Sequence, residues 1–240
     1  MSGLPFYLTD VFILEGYSGN QLATLIPARA LSARQMQSIA RELNFSETTF
    51  VTGGDTKQGF HTRIFTPTEE IPFAGHPVLG TAFVLREVFG LQSSTEVTLN
   101  LQGGKITVTF EDPGFQFFTR QQMEISAELD RADLVESLGL NPEDIDNRYP
   151  CCRVSSGLRF LIIPLVSVAA LQCLDSRQVR CEEPVFLFAP ADENMQEHIR
   201  ARMFAPELGM VEDAATGSAS CALGGYLVEH EYFGSGQVRV

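Results

Sequence analysis

Two stretches of the chain follow the same plan, and this repeat restricts the possible folds more than any other feature. Residues 70–90 read EIPFAGHPVLGTAFVLREVFG, and residues 212–234 read EDAATGSASCALGGYLVEHEYFG. In each stretch an acidic residue stands five positions before a Gly, as Glu70 does before Gly75 and Glu212 before Gly217. A repeat separated by about half the chain predicts two halves of one design. A chance match of Gly and small apolar residues is the alternative.

Each repeated stretch ends in an apolar segment that predicts a buried helix. From Pro77 to Phe89 nearly every residue is apolar or small, and the same is true from about Ala219 to Glu229. A helix that is hydrophobic around most of its circumference belongs inside a core rather than on a surface. We therefore predict that each half of the chain surrounds one central helix.

The first half also contains signals for an amphipathic helix and several strands. Ser32 is a suitable helix N-cap, with Gln35 as its capping-box partner. A strand is predicted at Thr48–Val51 and is expected to end at Gly53–Gly54. Two further strands flank Gly103–Gly104, which is a strong hairpin signal.

The segment DPGFQFFTRQQMEIS, residues 112–126, breaks the strand pattern and is the candidate linker. It separates a predicted first domain, residues 1–115, from a predicted second domain, residues 116–240. Helix and strand patterns resume after it.

Composition argues against several classes of partner. The 240 residues carry a net charge of -13, whereas binding to nucleic acid or an anionic membrane surface needs clustered Lys and Arg. No run of about 18 apolar residues predicts a membrane span. The five cysteines are odd in number and lack the paired spacing of zinc sites, so we expect reduced thiols in a cytoplasmic protein.

The two Gly-containing helix starts are candidate binding sites for a carboxylate. A helix start presents unpaired N–H groups and the positive end of the helix dipole. Gly75 and Gly217 would allow a ligand to approach the backbone closely. Two such starts facing each other across a cleft would hold a carboxylate. The alternative is that both are helix caps only, and their occurrence as a matched pair favours the cleft.

Glu47 and His76 are candidates for acid–base chemistry. Glu47 lies at the start of an apolar strand, with Phe45 and Phe50 nearby. Desolvation there would raise the pKa of its carboxyl towards neutrality, which suits a general acid or base. An ordinary Glu on the wet face of an edge strand is the alternative. His76 stands between a Gly and a Pro at a helix start, where a structural role is also open.

Asp213 and Asn20 allow two interpretations each. Asp213 precedes the second helix start and could take part in proton transfer, or it could accept hydrogen bonds from the loop amides. Asn20 follows Gly19 in a turn, where Asn is common for conformational reasons.

Other reaction classes find little support in the sequence. The TGSAS segment lacks the Gly-x-Ser-x-Gly elbow of serine hydrolases. No nucleotide-binding Gly pattern opens a βαβ unit, and no His, Cys or carboxylate cluster has metal-ligand spacing. The sequence therefore predicts acid–base chemistry without a cofactor or a metal.

Five sequence blocks resemble the PhzF family of phenazine-biosynthesis-like proteins. They are spread over nearly the whole chain: GN at 19–20, NFSET at 44–48, RIFTPTEEIPFAGHPVLGTA at 63–82, SSGLRFLIIPL at 155–165 and RMFAPELGMVEDAATGSAS at 202–220. The resemblance implies an α+β fold of the diaminopimelate epimerase type. Such a fold has two pseudo-symmetric domains, each with a curved β-sheet wrapped around a central helix, and an active site in the cleft between them.

The resemblance also implies roles for individual residues. The positions that match the family's acid/base carboxylate and its polar cleft residues give the catalytic candidates Glu47, His76 and Asp213. The positions that match the helix-start loops, the Gly-Asn turn and a further polar cleft residue give the substrate-binding candidates Asn20, Gly75, Gly217 and Ser218.

The chain departs from its relatives at several points. Related epimerases and proline racemases carry a cysteine just before each helix-start Gly, whereas this chain has Ala74 and Thr216, so two-thiol racemisation is not expected. Gln21 and Ala214 replace prolines that are usual in the family, which is a mild loss of rigidity. Family members usually end in a Glu-Gln-Gly and Gly-Arg-Pro-Ser segment that forms final strands, but this chain stops at SGQVRV. The C-terminus is therefore either missing or short in this member, and the second domain is expected to lack the strands that close it.

The characterised reaction of the family is the isomerisation of a dihydro-hydroxyanthranilate. The resemblance thus implies a cofactor-independent isomerase for a small, cyclic amino carboxylate, working as a homodimer. One alternative is an epimerase or racemase that uses Glu47 as a base and lowers the stereochemical purity of a chiral substrate. Another is a non-catalytic protein that binds a ligand or partner in the cleft. The joint presence of Glu47, His76 and Asp213 favours an enzyme.

Overall fold

A computed structural model of the chain describes residues 4–13, 16, 18–111, 114–116, 123–191 and 198–234. The chain divides into two units, residues 1–120 and 121–240. The candidate linker, residues 112–126, lies partly outside the described residues. Its described parts include two short strands, Gly114–Gln116 and Glu124–Ile125.

The first unit contains a mixed sheet that packs against two helices. Its strands are β1 (Phe6–Val11), β2 (Asn20–Leu25), β3 (Glu47–Asp55), β4 (Gly59–Phe65), β5 (Glu70–Ile71), β6 (Glu96–Leu101), β7 (Gly104–Glu111) and β8 (Gly114–Gln116), and its helices are α1 (Ala33–Leu43) and α2 (Gly75–Val88). The strand order is β1-β2-β3-β4-β6-β7-β8, and β5 pairs with β4. The β2–β3 and β4–β6 pairs are parallel, and each is connected through a helix, as parallel neighbours require.

The two faces of this sheet bury different helices. Phe50 belongs to the cluster that packs on α1, and the next residue, Val51, belongs to the cluster that packs on α2. This separation follows from the alternation of side chains along a strand. The capping box predicted for α1 is confirmed, because the Ser32 hydroxyl accepts the Gln35 N–H and the Gln35 side chain accepts the Ser32 N–H.

The predicted end of β3 at Gly53–Gly54 is wrong. The strand runs through both glycines to Asp55, with a shift of register between Val51 and Gly53. Gly54 has φ +98°, and a Cβ there would lie 2.2 Å from the Gly59 carbonyl oxygen. The glycines therefore form an irregularity inside the strand, and the turn comes after them.

The second unit contains a six-stranded sheet and three helices among the described residues. The strands are β9 (Glu124–Ile125), β10 (Cys152–Ser155), β11 (Arg159–Pro164), β12 (Val185–Pro190), β13 (Ile199–Ala205) and β14 (Met210–Asp213), and the helices are α3 (Arg131–Leu138), α4 (Val168–Cys173) and α5 (Gly217–Glu229). The strand order is β14-β13-β12-β11-β10-β9. The β11–β12 pair is parallel, with α4 in the connection.

Successive residues of β11 again point into two cores. Leu161 packs with the cluster that contains α3 and α4, whereas Ile162 packs with the cluster that contains α5. The α5 helix contributes buried side chains from Ala219 to Leu227, and α2 is buried along most of its length. The prediction of one buried helix in each half of the chain is confirmed.

Two further features bear on the class of protein. Over the residues whose structure is described, no helix has both the length and the hydropathy needed to cross a membrane. All five cysteines carry free thiols, and Cys151 and Cys152 are fully buried. Burial raises the pKa of each of these two thiols to about 11, so both are neutral at pH 7.

Candidate active site

Glu47 is the first residue of β3 and lies inside the first unit. Asn44 ends α1 in the left-handed conformation, with φ 56°, and the chain enters β3 three residues later. Glu47 is opposite Leu22 in the parallel β2–β3 pair, and only 8% of its surface is exposed. The interpretation of Glu47 as a solvent-facing residue of an edge strand is therefore wrong, because β3 is internal and the residue is buried.

His76 lies in the first turn of α2 and meets Glu47. The Nδ1 atom of His76 is 3.5 Å from the Oε2 atom of Glu47, and His76 is 4% exposed. A charged group that is removed from water needs a partner of opposite charge or a hydrogen-bond donor. The contact between the carboxyl and the imidazole is an ion pair when His76 is protonated.

The start of α2 is suited to a negatively charged group. Ala74 occupies the N-cap position and has no side-chain hydrogen bond to the helix, and the first turn contains no acidic residue. Pro77 removes one backbone donor from that turn. The positive end of the helix dipole therefore favours an anion that reaches Gly75.

Asn20 lies at the beginning of β2 in the same unit. It is 2% exposed and stands two residues before Leu22, the partner of Glu47 in the parallel pair. Gly19 before it has φ +94°, and a Cβ at that position would lie 2.5 Å from the Val11 carbonyl oxygen. The Gly-Asn turn thus needs its Gly for a steric reason.

A chain of buried hydroxyl groups follows Glu47 along β3. The Thr49 hydroxyl donates to the Thr24 hydroxyl at 3.0 Å and lies 2.8 Å from the Thr81 hydroxyl of α2. All three residues are fully buried. Because Thr49 is two residues after Glu47, both side chains point to the α2 side of the sheet. The sequence offers one signal for this network, Thr81 in a mostly apolar helix, but that signal does not identify the partners Thr24 and Thr49.

The second unit carries a related arrangement at the start of α5. Asp213 is the last residue of β14 and is 7% exposed. The Thr216 hydroxyl donates a hydrogen bond to Asp213 Oδ2. Thr216 is the N-cap of α5, and its side chain makes no cap hydrogen bond to the helix because it faces Asp213.

Gly217 and Ser218 are the first two residues of α5. Both are half-buried, and no acidic residue lies in the first turn of the helix. The candidates therefore fall into two groups, one in each unit, and Asn20 lies at the beginning of β2 rather than at a helix start. In each unit a buried carboxylate from a strand lies near a central helix that begins with Gly.

Among the described residues, no group of three or more His, Cys, Asp and Glu side chains could hold a metal ion.

Comparisons with known proteins identify relatives over almost the entire chain. The PhzC-PhzF family of phenazine biosynthesis-like proteins matches residues 9–239. A trans-2,3-dihydro-3-hydroxyanthranilate isomerase from Pseudomonas aeruginosa is 35% identical over 97% of this chain and 82% of its own length.

Solved structures show the same fold. A PhzF family protein from Bacillus anthracis superposes with a TM-score of 0.83, at 23% identity, over 95% of this chain and 81% of its own. A hydroxyproline epimerase from Agrobacterium vitis reaches a TM-score of 0.52 at 12% identity, over 89% of this chain and 75% of its own. The α+β, epimerase-type fold implied by the sequence blocks is therefore confirmed.

Proposed function

We infer that the chain, which belongs to the PhzF family of phenazine biosynthesis-like proteins, is an isomerase that moves a proton between two carbon atoms of a small carboxylate. The observation that carries this inference is the buried Glu47–His76 contact at the start of α2. An isomerisation of this kind takes a proton from one carbon and returns it to another, so it needs a base that becomes an acid.

Glu47 is the group proposed to carry the proton. As a carboxylate it accepts a proton from the first carbon, and as a carboxylic acid, whose proton can exchange with solvent, it delivers a proton to the second carbon. No electrons are gained or lost, and the substrate and product have the same composition. His76 orients the Glu47 carboxyl and takes up part of the charge as the proton moves.

The helix starts are proposed to bind the substrate. The first-turn N–H groups of α2, beginning at Gly75, can donate to a substrate carboxylate, and the helix dipole favours its negative charge. In the second unit we assign the same task to Gly217 and Ser218. Asp213 is proposed to assist proton transfer, with its carboxyl oriented by the Thr216 hydroxyl.

The proposed substrate class rests on the similarity of this chain to a relative whose substrate is named. The relative from Pseudomonas aeruginosa is named for trans-2,3-dihydro-3-hydroxyanthranilate, a cyclic amino carboxylate. We therefore propose a small, cyclic amino carboxylate as the substrate here and a mechanism that uses no cofactor. The homodimer implied by the sequence resemblance also stays a prediction.

The test is a proton-exchange assay in heavy water. The full chain is incubated with trans-2,3-dihydro-3-hydroxyanthranilate and a panel of small cyclic amino acids, and deuterium at carbon is followed by NMR. Glu47→Gln keeps the shape of the side chain and removes the base, so we expect exchange and turnover to fall by about a thousandfold or more. Glu128→Gln is the matched control, because Glu128 is an exposed carboxylate paired with Arg131.

Retention of full exchange in a folded Glu47→Gln protein would refute the assignment of Glu47. Chiral analysis of the product separates the rival reactions. Inversion of configuration at the carbon that loses its proton, without movement of a double bond in the substrate, would instead identify an epimerase. No exchange with any substrate in a folded wild-type chain would favour a ligand-binding protein.

A further inference from the structure

The two repeated stretches share one more feature, an arginine–glutamate pair in front of each helix start. In the first unit the Nε and Nη2 atoms of Arg63 donate to Glu70 Oε1 at 2.7 Å and Oε2 at 2.5 Å. In the second unit the same two nitrogen atoms of Arg202 donate to Glu212 Oε1 at 2.7 Å and Oε2 at 2.8 Å. Both pairs are therefore bidentate and use the same atoms.

The pairs occupy equivalent places in their units. Each arginine lies on the strand that pairs with a short strand carrying the glutamate. Each arginine also covers the phenylalanine two residues later, with Arg63 Cζ 5.2 Å from the Phe65 ring centre and Arg202 Cζ 4.9 Å from that of Phe204. The glutamates stand five residues before the Gly that begins α2 or α5.

Short strands make these pairs important for the geometry of the helix starts. β5 has two residues, and β14 has four with an irregular register against β13. Such strands have few ladder hydrogen bonds to fix their direction. A bidentate arginine–carboxylate pair fixes both distance and orientation, since the guanidinium is planar and presents its donors in a rigid fork.

In the second unit the pair also determines where Asp213 points. Glu212 and Asp213 are neighbours on β14, so their side chains point to opposite faces. With Glu212 held by Arg202 on the more exposed face, Asp213 is turned inward to the Thr216 hydroxyl. Arg202 is itself anchored, because its Nη1 atom donates to the Leu171 and Leu174 carbonyl oxygens at 2.9 Å each.

In the first unit the pair fixes the chain on its way to His76. The segment after Glu70 is held at its next point by the Gly103 N–H, which donates to the Pro72 carbonyl oxygen at 2.9 Å. Between that bond and the salt bridge, β5 has little freedom to shift. Together with the Thr66 N–H, which donates to the Glu69 carbonyl oxygen at 2.8 Å, these attachments hold the chain that leads to the start of α2 and His76.

We propose, on the basis of the function inferred above, that Arg63–Glu70 and Arg202–Glu212 are a duplicated pair of clamps that position the two helix starts and the acid–base side chains beside them. Neither pair takes part in proton transfer. Each keeps a short strand aligned so that the loop behind it presents His76 or Asp213 in its working orientation.

The test measures the local opening of each helix start. Hydrogen exchange of the amides in residues 73–79 and 214–220 is followed by mass spectrometry in wild type, Glu70→Gln and Glu212→Gln. We expect exchange to rise about threefold to tenfold in the helix start behind the altered clamp and to stay unchanged in the other. Glu183→Gln is the matched control, since it weakens the ion pair between Glu183 and Arg153, which lie in the loop before β12 and on β10 rather than in front of α2 or α5.

Two further readouts separate positioning from general stability. The NMR resonance of the His76 ring, assigned with His76→Asn, is expected to shift in Glu70→Gln and to remain in place in Glu183→Gln. If trans-2,3-dihydro-3-hydroxyanthranilate is turned over, kcat should fall about tenfold or more in each clamp variant with little change in KM.

The clamp proposal would be wrong if amide hydrogen exchange at both helix starts were unchanged in Glu70→Gln and Glu212→Gln. It would also be wrong if Glu183→Gln raised that exchange by the same amount. Raised exchange with an unmoved His76 resonance and unchanged kcat would make the pairs structural only. An inactive wild-type protein would count against the proposed function alone, because the exchange and the His76 resonance decide on the clamps without a substrate.

Discussion

At the scale of single residues, the sequence indicated the candidate acid–base side chains but not the buried hydroxyl groups that lie next to them. The position of Glu47 before an apolar strand left a buried and a solvent-facing carboxylate both open, and the structure buries it 3.5 Å from His76. The hydroxyl chain of Thr24, Thr49 and Thr81 could not be anticipated in the same way. Its members lie on two strands and a helix, and only the tertiary structure brings their hydroxyls together.

We predict that Thr49→Val weakens the fold more than an ordinary threonine-to-valine change. Valine has nearly the same shape, but it leaves the buried hydroxyls of Thr24 and Thr81 without the partner between them. Unsatisfied buried hydroxyl groups cost about 1–3 kcal/mol. The midpoint of urea unfolding should fall accordingly, with an unchanged slope.

The control for this change is Thr107→Val. Thr107 also pairs with a threonine hydroxyl, that of Thr98 at 3.0 Å, but both residues are only partly buried. Water can replace the lost contact there, so the effect should stay within about 0.5 kcal/mol. Equal losses of unfolding free energy in the two variants would show that the burial of the Thr24, Thr49 and Thr81 hydroxyl groups adds nothing to stability.

At the scale of helices and strands, the central helices were well predicted and the course of β3 was not. Apolar residues around most of α2 and α5 leave a buried helix as the simplest solution, and both helices are buried. Gly53 and Gly54 indicated a strand end, because glycine is common in turns. In the structure the pairing with β4 continues across them, so long-range hydrogen bonding outweighs the local signal.

We predict that Gly80→Ala destabilises the first unit. A Cβ at Gly80 would lie 2.6 Å from Leu22 Cδ2, 3.0 Å from Val11 Cγ2 and 3.1 Å from Thr9 Oγ1. Leu22 is fully buried and has little room to move. Overpacking of this kind costs about 1–3 kcal/mol, which outweighs the gain of up to about 1 kcal/mol from the helix propensity of alanine.

Gly224→Ala in α5 is the matched comparison. Within the part of the chain that the structure describes, no heavy atom outside the α5 backbone lies within 4 Å of a Cβ at Gly224, so only the gain in helix propensity remains. Thermal unfolding should therefore shift downward for Gly80→Ala and upward for Gly224→Ala. Stabilisation by both changes would mean that α2 is not held against β1 and β2 as closely as the structure indicates.

At the scale of the whole molecule, the chain is built from two units that use one plan. Each has a sheet whose two faces bury different hydrophobic clusters, with the central helix on one of them. The sequence repeat predicted this duplication, because its acidic residue, Gly and apolar helix recur in order. The repeat could not show that Arg63 and Arg202 form equivalent pairs with Glu70 and Glu212, since the spacing from arginine to glutamate differs between the halves.

We predict that residues 1–120 fold when expressed alone. The hydrophobic clusters around α1 and α2, the Thr24–Thr49–Thr81 chain and the Arg63–Glu70 pair are all formed by residues of the first unit. A unit that holds its own core and its own buried polar contacts meets the physical requirements of an independent domain. The isolated segment should therefore unfold cooperatively in urea, and Thr49→Val should lower its stability by the same amount as in the full chain, because the network is complete within the unit. A segment that shows no cooperative transition would place essential packing beyond residue 120, and a smaller Thr49→Val effect would mean that the hydroxyl chain forms only in the intact protein.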